Sequence, residues 1–132
     1  MIGIVIVAHG GLAKEYLSAV EHVVGPQSDM QAISIEDDCD RSLKQAEICA
    51  AANAVDHGGG VVVVTDMFGG SPSNLSLLAC AGGPERRIIY GANLPMLIKL
   101  TKSRSLGVKD AVAAALEAGR KYINSFDLGS GA

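Results

Sequence analysis

Apolar positions come in blocks, and the period inside the blocks changes along the chain. Ile2, Ile4, Val5, Ile6 and Val7 form an almost continuous β-rich run. Such a run predicts a strand buried on both faces, the habit of parallel sheets. Over 12–24 the period becomes helical: Leu12, Tyr16, Leu17, Val20 and Val24 share one face, Lys14, Glu15 and Glu21 point away, and Gly25-Pro26 ends the helix. Residues 30–35 predict a second strand with Ile33 and Ile35 on one face. A helix follows over 41–55, capped by Asp40 and packed on the sheet through Leu43, Ala46, Ile48 and Ala50, with His57 at its C-terminal end, where the helix dipole favours a cation. Val61 to Val64 is the most strand-like stretch and is expected at the sheet centre. Ser71 reads as the N-cap of a helix over 72–81, with Pro72 in the first turn. A fourth strand is expected over 86–91 with Ile88, Ile89 and Tyr90 as its core, then a helix to Lys102 and another over 108–123. Tyr122, Ile123 and Phe126 fit a short strand as well as a helix, and 127–132 reads as a frayed tail.

Strand–helix alternation with short connections defines an α/β fold, a doubly wound and mainly parallel sheet. The flavodoxin-like order 2-1-3-4 sets the first and third strands side by side at the switch point, where such sheets bind ligands at their carboxyl ends. A length of 132 residues suits one domain over 1–132, and 48% hydrophobic residues suffice for a core. No apolar run is long enough to span a bilayer, and the first strand lacks a small-residue cleavage site after it. A net charge of -3 without a basic stripe argues against nucleic acid, and 4% aromatic residues argue against a base-stacking platform. Cys39, Cys49 and Cys80 are odd in number and widely spaced, which fits a reducing cytoplasm and gives no metal motif.

The chemistry gathers at the strand ends. His9 closes the first strand and is followed by Gly10 and Gly11. By position alone it is either a turn histidine or a group for proton transfer, metal binding or phosphoryl transfer. Asp66 closes the third strand, and Gly69, Gly70 and Ser71 lead into a helix N-terminus, whose free amides attract anions. This is no Walker A loop, because Gly-Lys-Ser/Thr is missing. Asn93, at the end of the fourth strand, suits either a hydrogen bond supporting the site or a helix cap. The acidic run Glu36, Asp37, Asp38 and Asp40 lacks the ligand spacing of a calcium loop and reads as solvated. His22 reads as an ordinary helix side chain. The expected order brings His9, Asp66 and the glycine loop together. A carboxylate on one imidazole nitrogen fixes the tautomer and leaves the other nitrogen nucleophilic, with amides and a hydroxyl to hold a phosphoryl group.

Three stretches carry a family resemblance over essentially the whole chain: 4–10 (IVIVAHG), 65–74 (TDMFGGSPSN) and 91–97 (GANLPML). In order and content they resemble the EIIA component of mannose-type sugar phosphotransferase systems. The resemblance implies that His9 is phosphorylated through Nε2, that Asp66 orients it through Nδ1, and that Ser71 with the amides of Gly69 and Gly70 receives the phosphoryl group. It implies HPr as donor, a EIIB component as acceptor, no cofactor or metal, a cytoplasmic location and a homodimer with an exchanged C-terminal antiparallel strand, for which 122–128 is the candidate. Where the family often carries Trp, this chain has Phe68, an aromatic for docking. No linker or EIIB segment follows, as expected of a stand-alone EIIA.

Three other readings remain open. A regulatory EIIA without a sugar-transporting partner would use the same residues. The phosphotransfer subunit of dihydroxyacetone kinase also begins with a strand and a histidine, but the Gly-Gly-Ser-Pro stretch favours the mannose branch. Small metal chelatases open on a strand ending in His-Gly, yet they need a later metal-facing histidine, and none follows His57 here.

Overall fold

The computed structural model describes residues 1–81 and 85–130. Its strands are β1 (Gly3–His9), β2 (Met30–Ile35), β3 (Val61–Thr65) and β4 (Arg86–Ile89). The helices are α1 (Leu12–Val24), α2 (Arg41–Val55), α3 (Ser71–Ala81), α4 (Leu94–Lys102) and α5 (Val108–Lys121), followed by one 3₁₀ turn at Leu128–Ser130. The four strands form one parallel sheet in the order β2-β1-β3-β4, as the alternation of elements predicts.

Side chains alternate across the two inner strands and so build two cores. Ile4, Ile6 and Ala8 of β1 and Val62 and Val64 of β3 face α1, α4 and α5, where they meet Val20, Leu97, Leu100, Ala111 and Ala115. Val5, Val7, Val61 and Val63 face α2 and α3, where they meet Ile48, Ala52, Val55, Leu75 and Ala79. Each fully buried Val, Leu or Ile contributes roughly 1.5–3 kcal/mol relative to exposure, so β1 and β3 are the most firmly held elements. That matters for function, because their carboxyl ends carry His9 and Asp66. The register pairs Val7 with Thr65 and His9 with Ile35, which fixes both ends to one rim.

Several local expectations are corrected. Leu43 is 71% exposed, and the packed face of α2 is Ile48, Ala51, Ala52 and Val55, a later stripe at helical spacing. Leu12 also lies toward solvent, and Ala13 and Val20 are the buried residues of α1. His57 is not in the helix, because Asp56 is already the C-cap; instead its Nε2 lies 3.0 Å from Asp29 Oδ1. Strand β4 ends at Ile89, so Tyr90 lies outside the strand and not in its core. Helix α5 stops at Lys121 with Tyr122 as C-cap, and 123–127 forms neither helix nor strand. Asp40 is the expected N-cap: its Oδ1 accepts a hydrogen bond from Leu43 N at 3.0 Å. No helix among the described residues is long and apolar enough to cross a membrane.

The opposite rim is tied by one buried cation. Arg104 is 3% exposed and donates to Ile2 O at 2.7 Å, Asp29 O at 3.0 Å and Gln27 Oε1 at 3.3 Å. It thereby joins the α4–α5 connection to the starts of β1 and β2. Arg104→Met keeps much of the stem but leaves two main-chain carbonyls without that donor, and is expected to lower stability by about 2–4 kcal/mol in urea unfolding. A change below about 0.5 kcal/mol would mean the guanidinium holds nothing together.

Candidate functional site

Parallel pairing of β1 with β3 places the two residues that follow their cores next to each other. His9 Nδ1 lies 2.8 Å from Asp66 Oδ2, and His9 N donates to the same oxygen at 3.1 Å. The carboxylate is thus gripped by ring and main chain of one residue, and the imidazole cannot swing without losing it. The histidine side chain is 48% exposed and the carboxylate 11%. Burial pushes the Asp66 carboxyl up, but the ring hydrogen bond, the backbone hydrogen bond and the charge of His9 outweigh it, so its pKa lies below the ordinary carboxylate value. Asp66 is therefore ionised at neutral pH and can only accept, so Nδ1 carries the hydrogen. In the neutral ring Nε2 is then left with a free lone pair.

The β3–α3 loop closes on that nitrogen. A Cβ added at Gly70 would lie 3.0 Å from His9 Cε1 and 3.4 Å from Nε2 and would press on the ring, so a glycine lets the main chain come this near without displacing it. Gly69 sits at φ 85°, the left-handed turn that aims the loop at the histidine. The loop is held by Ser73, whose Oγ accepts from Gly69 N at 3.1 Å and donates to Gly70 O at 3.0 Å. The first helical carbonyl acceptor is Gly70 O, which receives Asn74 N at 3.1 Å. Gly70 thus takes the capping position expected of Ser71, and Ser71 is the first helical residue. The first-turn amides of α3 have no intrahelical acceptor and carry the positive end of the helix dipole. Pro72 has no amide hydrogen to offer, which leaves the ring of donors to Gly70, Ser71 and Ser73.

The remaining expected residues fall as follows. Phe68 is 76% exposed and meets Tyr90 edge-on, with ring centroids 4.9 Å apart. With Met67, 53% exposed, it puts apolar surface on the loop that follows Asp66. Asn93 is the N-cap of α4: Oδ1 accepts from Met96 N at 3.0 Å, and Nδ2 donates to Gly119 O at 2.9 Å. Its side chain therefore ties α4 to α5. Two further residues reach the site, Tyr16 from the apolar face of α1 and Arg41 from the start of α2. Tyr16 donates its hydroxyl to Ala92 O at 3.0 Å, and its phenol is raised above the ordinary value by burial and then by the Asp66 charge. Arg41, the first residue of α2, reaches Ser71 Oγ with Nη1 at 3.2 Å. Gly10 N bonds to Ile35 O at 2.9 Å, which draws the end of β2, and the loop into α2, alongside the histidine. A cation at a helix N-terminus, against the dipole, is a signal Arg41 shares with Lys109 in α5, so the sequence does not single it out.

The fold and this rim define a small doubly wound α/β protein that presents a carboxylate-oriented histidine beside a glycine-lined helix N-terminus. Residues 3–118 match the EIIA-man family model, described as PTS system fructose IIA component. The chain belongs to the EIIA-man family of phosphotransferase-system IIA components. It is 28% identical over 126 residues to the PTS system mannose-specific EIIAB component of Escherichia coli strain K12, a match that covers 94% of this chain and 39% of that protein. The chain thus spans well under half the length of that relative. It is 27% identical over 104 residues to a putative phosphotransferase enzyme IIA component, YadI, of the same strain, covering 79% of this chain and 71% of that one. Among solved structures, the mannose/sorbose specific IIA subunit of the phosphotransferase system from Enterococcus faecalis superposes with a TM-score of 0.84 at 26% identity, over 95% of this chain and 94% of that one.

The geometry predicts a defined tautomer. In nitrogen-correlated NMR spectra at mildly alkaline pH, His9 is expected as the Nδ1–H form, and Asp66→Ala is expected to shift it toward the Nε2–H form of free imidazole. An unchanged tautomer would remove the orienting role from Asp66. The lowered carboxyl pKa gives a second reading of the same variant: stability from the pair is present above the ordinary Asp value and is lost as pH falls through the lowered one, so Asp66→Ala flattens that acid limb.

Proposed function

We propose that this chain is a phosphohistidine relay that accepts a phosphoryl group from an HPr-like phosphocarrier on His9 and passes it to a EIIB component. One observation carries the reading: Asp66 holds Nδ1 at 2.8 Å, while Nε2 faces the loop at the α3 N-terminus. In the transfer, the phosphorus–nitrogen bond of the donor phosphohistidine breaks as the bond from phosphorus to His9 Nε2 forms. The electron pair returns to the donor imidazole. His9 keeps its Nδ1 hydrogen, and the positive charge that develops on the ring is met by the Asp66 carboxylate. The amides of Gly70 and Ser71 and the Ser71 hydroxyl receive the phosphoryl oxygens, while the Gly69 amide, engaged by Ser73, shapes the loop. Onward transfer reverses these steps toward the acceptor nucleophile. Half-exposure of His9, on a rim whose next loop exposes Met67 and Phe68, suits a protein donor that must bring its own nitrogen in line. The same chemistry serves sugar uptake or regulation, according to the acceptor, and the proposed reading includes a cytoplasmic location shared with such a donor.

Incubation with phosphoenolpyruvate, enzyme I and HPr is expected to add one phosphoryl group, lost in acid and kept in alkali. His9→Ala is expected to abolish it without loss of fold, read by intact-protein mass spectrometry and circular dichroism. Full labelling of the variant would overturn the assignment.

We also propose a homodimer in which 122–128 pairs with the partner. The β4 edge carries no further strand among the described residues, and Tyr122, Ile123, Phe126 and Leu128 are 66–81% exposed. Open edges and exposed apolar side chains of this kind seek a covering strand. Light scattering is expected to give a dimer mass, reduced to a monomer by Ile123→Asp combined with Phe126→Asp; a monomeric parent would contradict this.

A further inference from the structure

We infer that Arg41 is a phosphoryl-binding residue of this site, its guanidinium contacting the phosphoryl oxygens on His9 together with Ser71. The inference rests on the relay reading above and adds to it a cation from an element outside the two histidine-bearing and aspartate-bearing strands. Arg41 Nη1 donates to Ser71 Oγ at 3.2 Å. Ser71 follows Gly70, whose added Cβ would stand 3.4 Å from His9 Nε2, so the guanidinium borders the space in front of the nucleophilic nitrogen.

Three features set this side chain apart from an ordinary surface arginine. It opens α2, where the helix dipole opposes a positive charge, so its place is unfavourable for the helix alone. Asp37, Asp38 and Asp40 stand just before it, yet among the described residues Arg41 makes no ion pair; Asp40 instead caps the helix through Leu43 N. Its hydrogen bond goes to a neutral hydroxyl, which leaves most of its donors for another acceptor. A phosphoryl group supplies what is missing: charged oxygens whose geometry matches the guanidinium fork. It also needs a cation here, because it arrives next to the ionised Asp66. The β1–β2 pairing explains how the residue gets there, since Ile35 lies opposite His9 and the loop from Ile35 leads straight into α2.

The test compares two phosphoryl donors on the full chain. With HPr, Arg41→Gln is expected to slow phosphorylation of His9 by about tenfold or more, the usual effect of losing a charge-assisted hydrogen bond. With phosphoramidate, a small donor that releases ammonia and docks no protein surface, the same slowing is expected, and Arg41→Lys is expected to recover part of the rate with both. Slowing with HPr alone would overturn the inference and make Arg41 a docking residue. Equal rates for parent and Arg41→Gln with both donors would overturn it while leaving the relay intact. A parent chain that takes no label from either donor would remove the relay and this inference with it.

Discussion

One hydrogen bond sets the terms for the rest of the site: His9 Nδ1 to Asp66 Oδ2, 2.8 Å. It exists because β1 and β3 are neighbours in a parallel sheet, so that residues 57 positions apart leave adjacent strands at one rim. The strands are pinned by cores on both faces, and the carboxylate is pinned by the ring and main chain of the same histidine. Very little motion is left to the imidazole. Its free nitrogen therefore points in one direction, toward the loop where a Cβ added at Gly70 would crowd the ring. Pre-organisation of this kind would serve both directions of the proposed transfer, since Asp66 holds Nδ1 and leaves Nε2 to carry the group.

Around that bond the charges are graded. Asp66 is negative and mostly buried, the α3 N-terminus offers amides, and Arg41 brings a full positive charge to the solvent side. A dianionic group entering from solvent meets donors first and the carboxylate last, behind the ring. The exposed Phe68 and Met67 beside it suit contact with another protein, and the same rim that holds the histidine presents them. The family membership of the chain as a phosphotransferase-system IIA component agrees with a site built for group transfer between proteins.

The strands and their order were legible because the apolar runs of β1 and β3 are buried on both faces, and the right-handed parallel topology then leaves few arrangements. The convergence of His9 with Asp66 follows from that order. What escaped depended on tertiary placement. Arg41 looks like any helix-start residue until the β1–β2 register brings its loop beside His9. Ser71 has the chemistry of an N-cap, but Ser73 locks the preceding glycines into the turn and moves the cap to Gly70. His57 was drawn to Asp29, a residue 28 positions away that no helical pattern could flag. The α2 stripe shifted because the alanines of this helix allow more than one apolar face, and contact with Val5 and Val7 selects Ile48, Ala52 and Val55. Tyr122 and Ile123 remained undecided in the sequence because both follow the end of α5 and stay largely exposed, so no buried face sets their period.

The most direct measurement is the site of linkage in the phosphorylated protein, read from phosphorus–nitrogen couplings in a sample labelled with nitrogen-15 at histidine. Coupling to Nε2 of His9 is expected, with Nδ1 still protonated and hydrogen-bonded to Asp66. Phosphorus on Nδ1, or on any residue other than His9, would contradict it, because the 2.8 Å contact to Asp66 leaves no room for a phosphoryl group on that nitrogen.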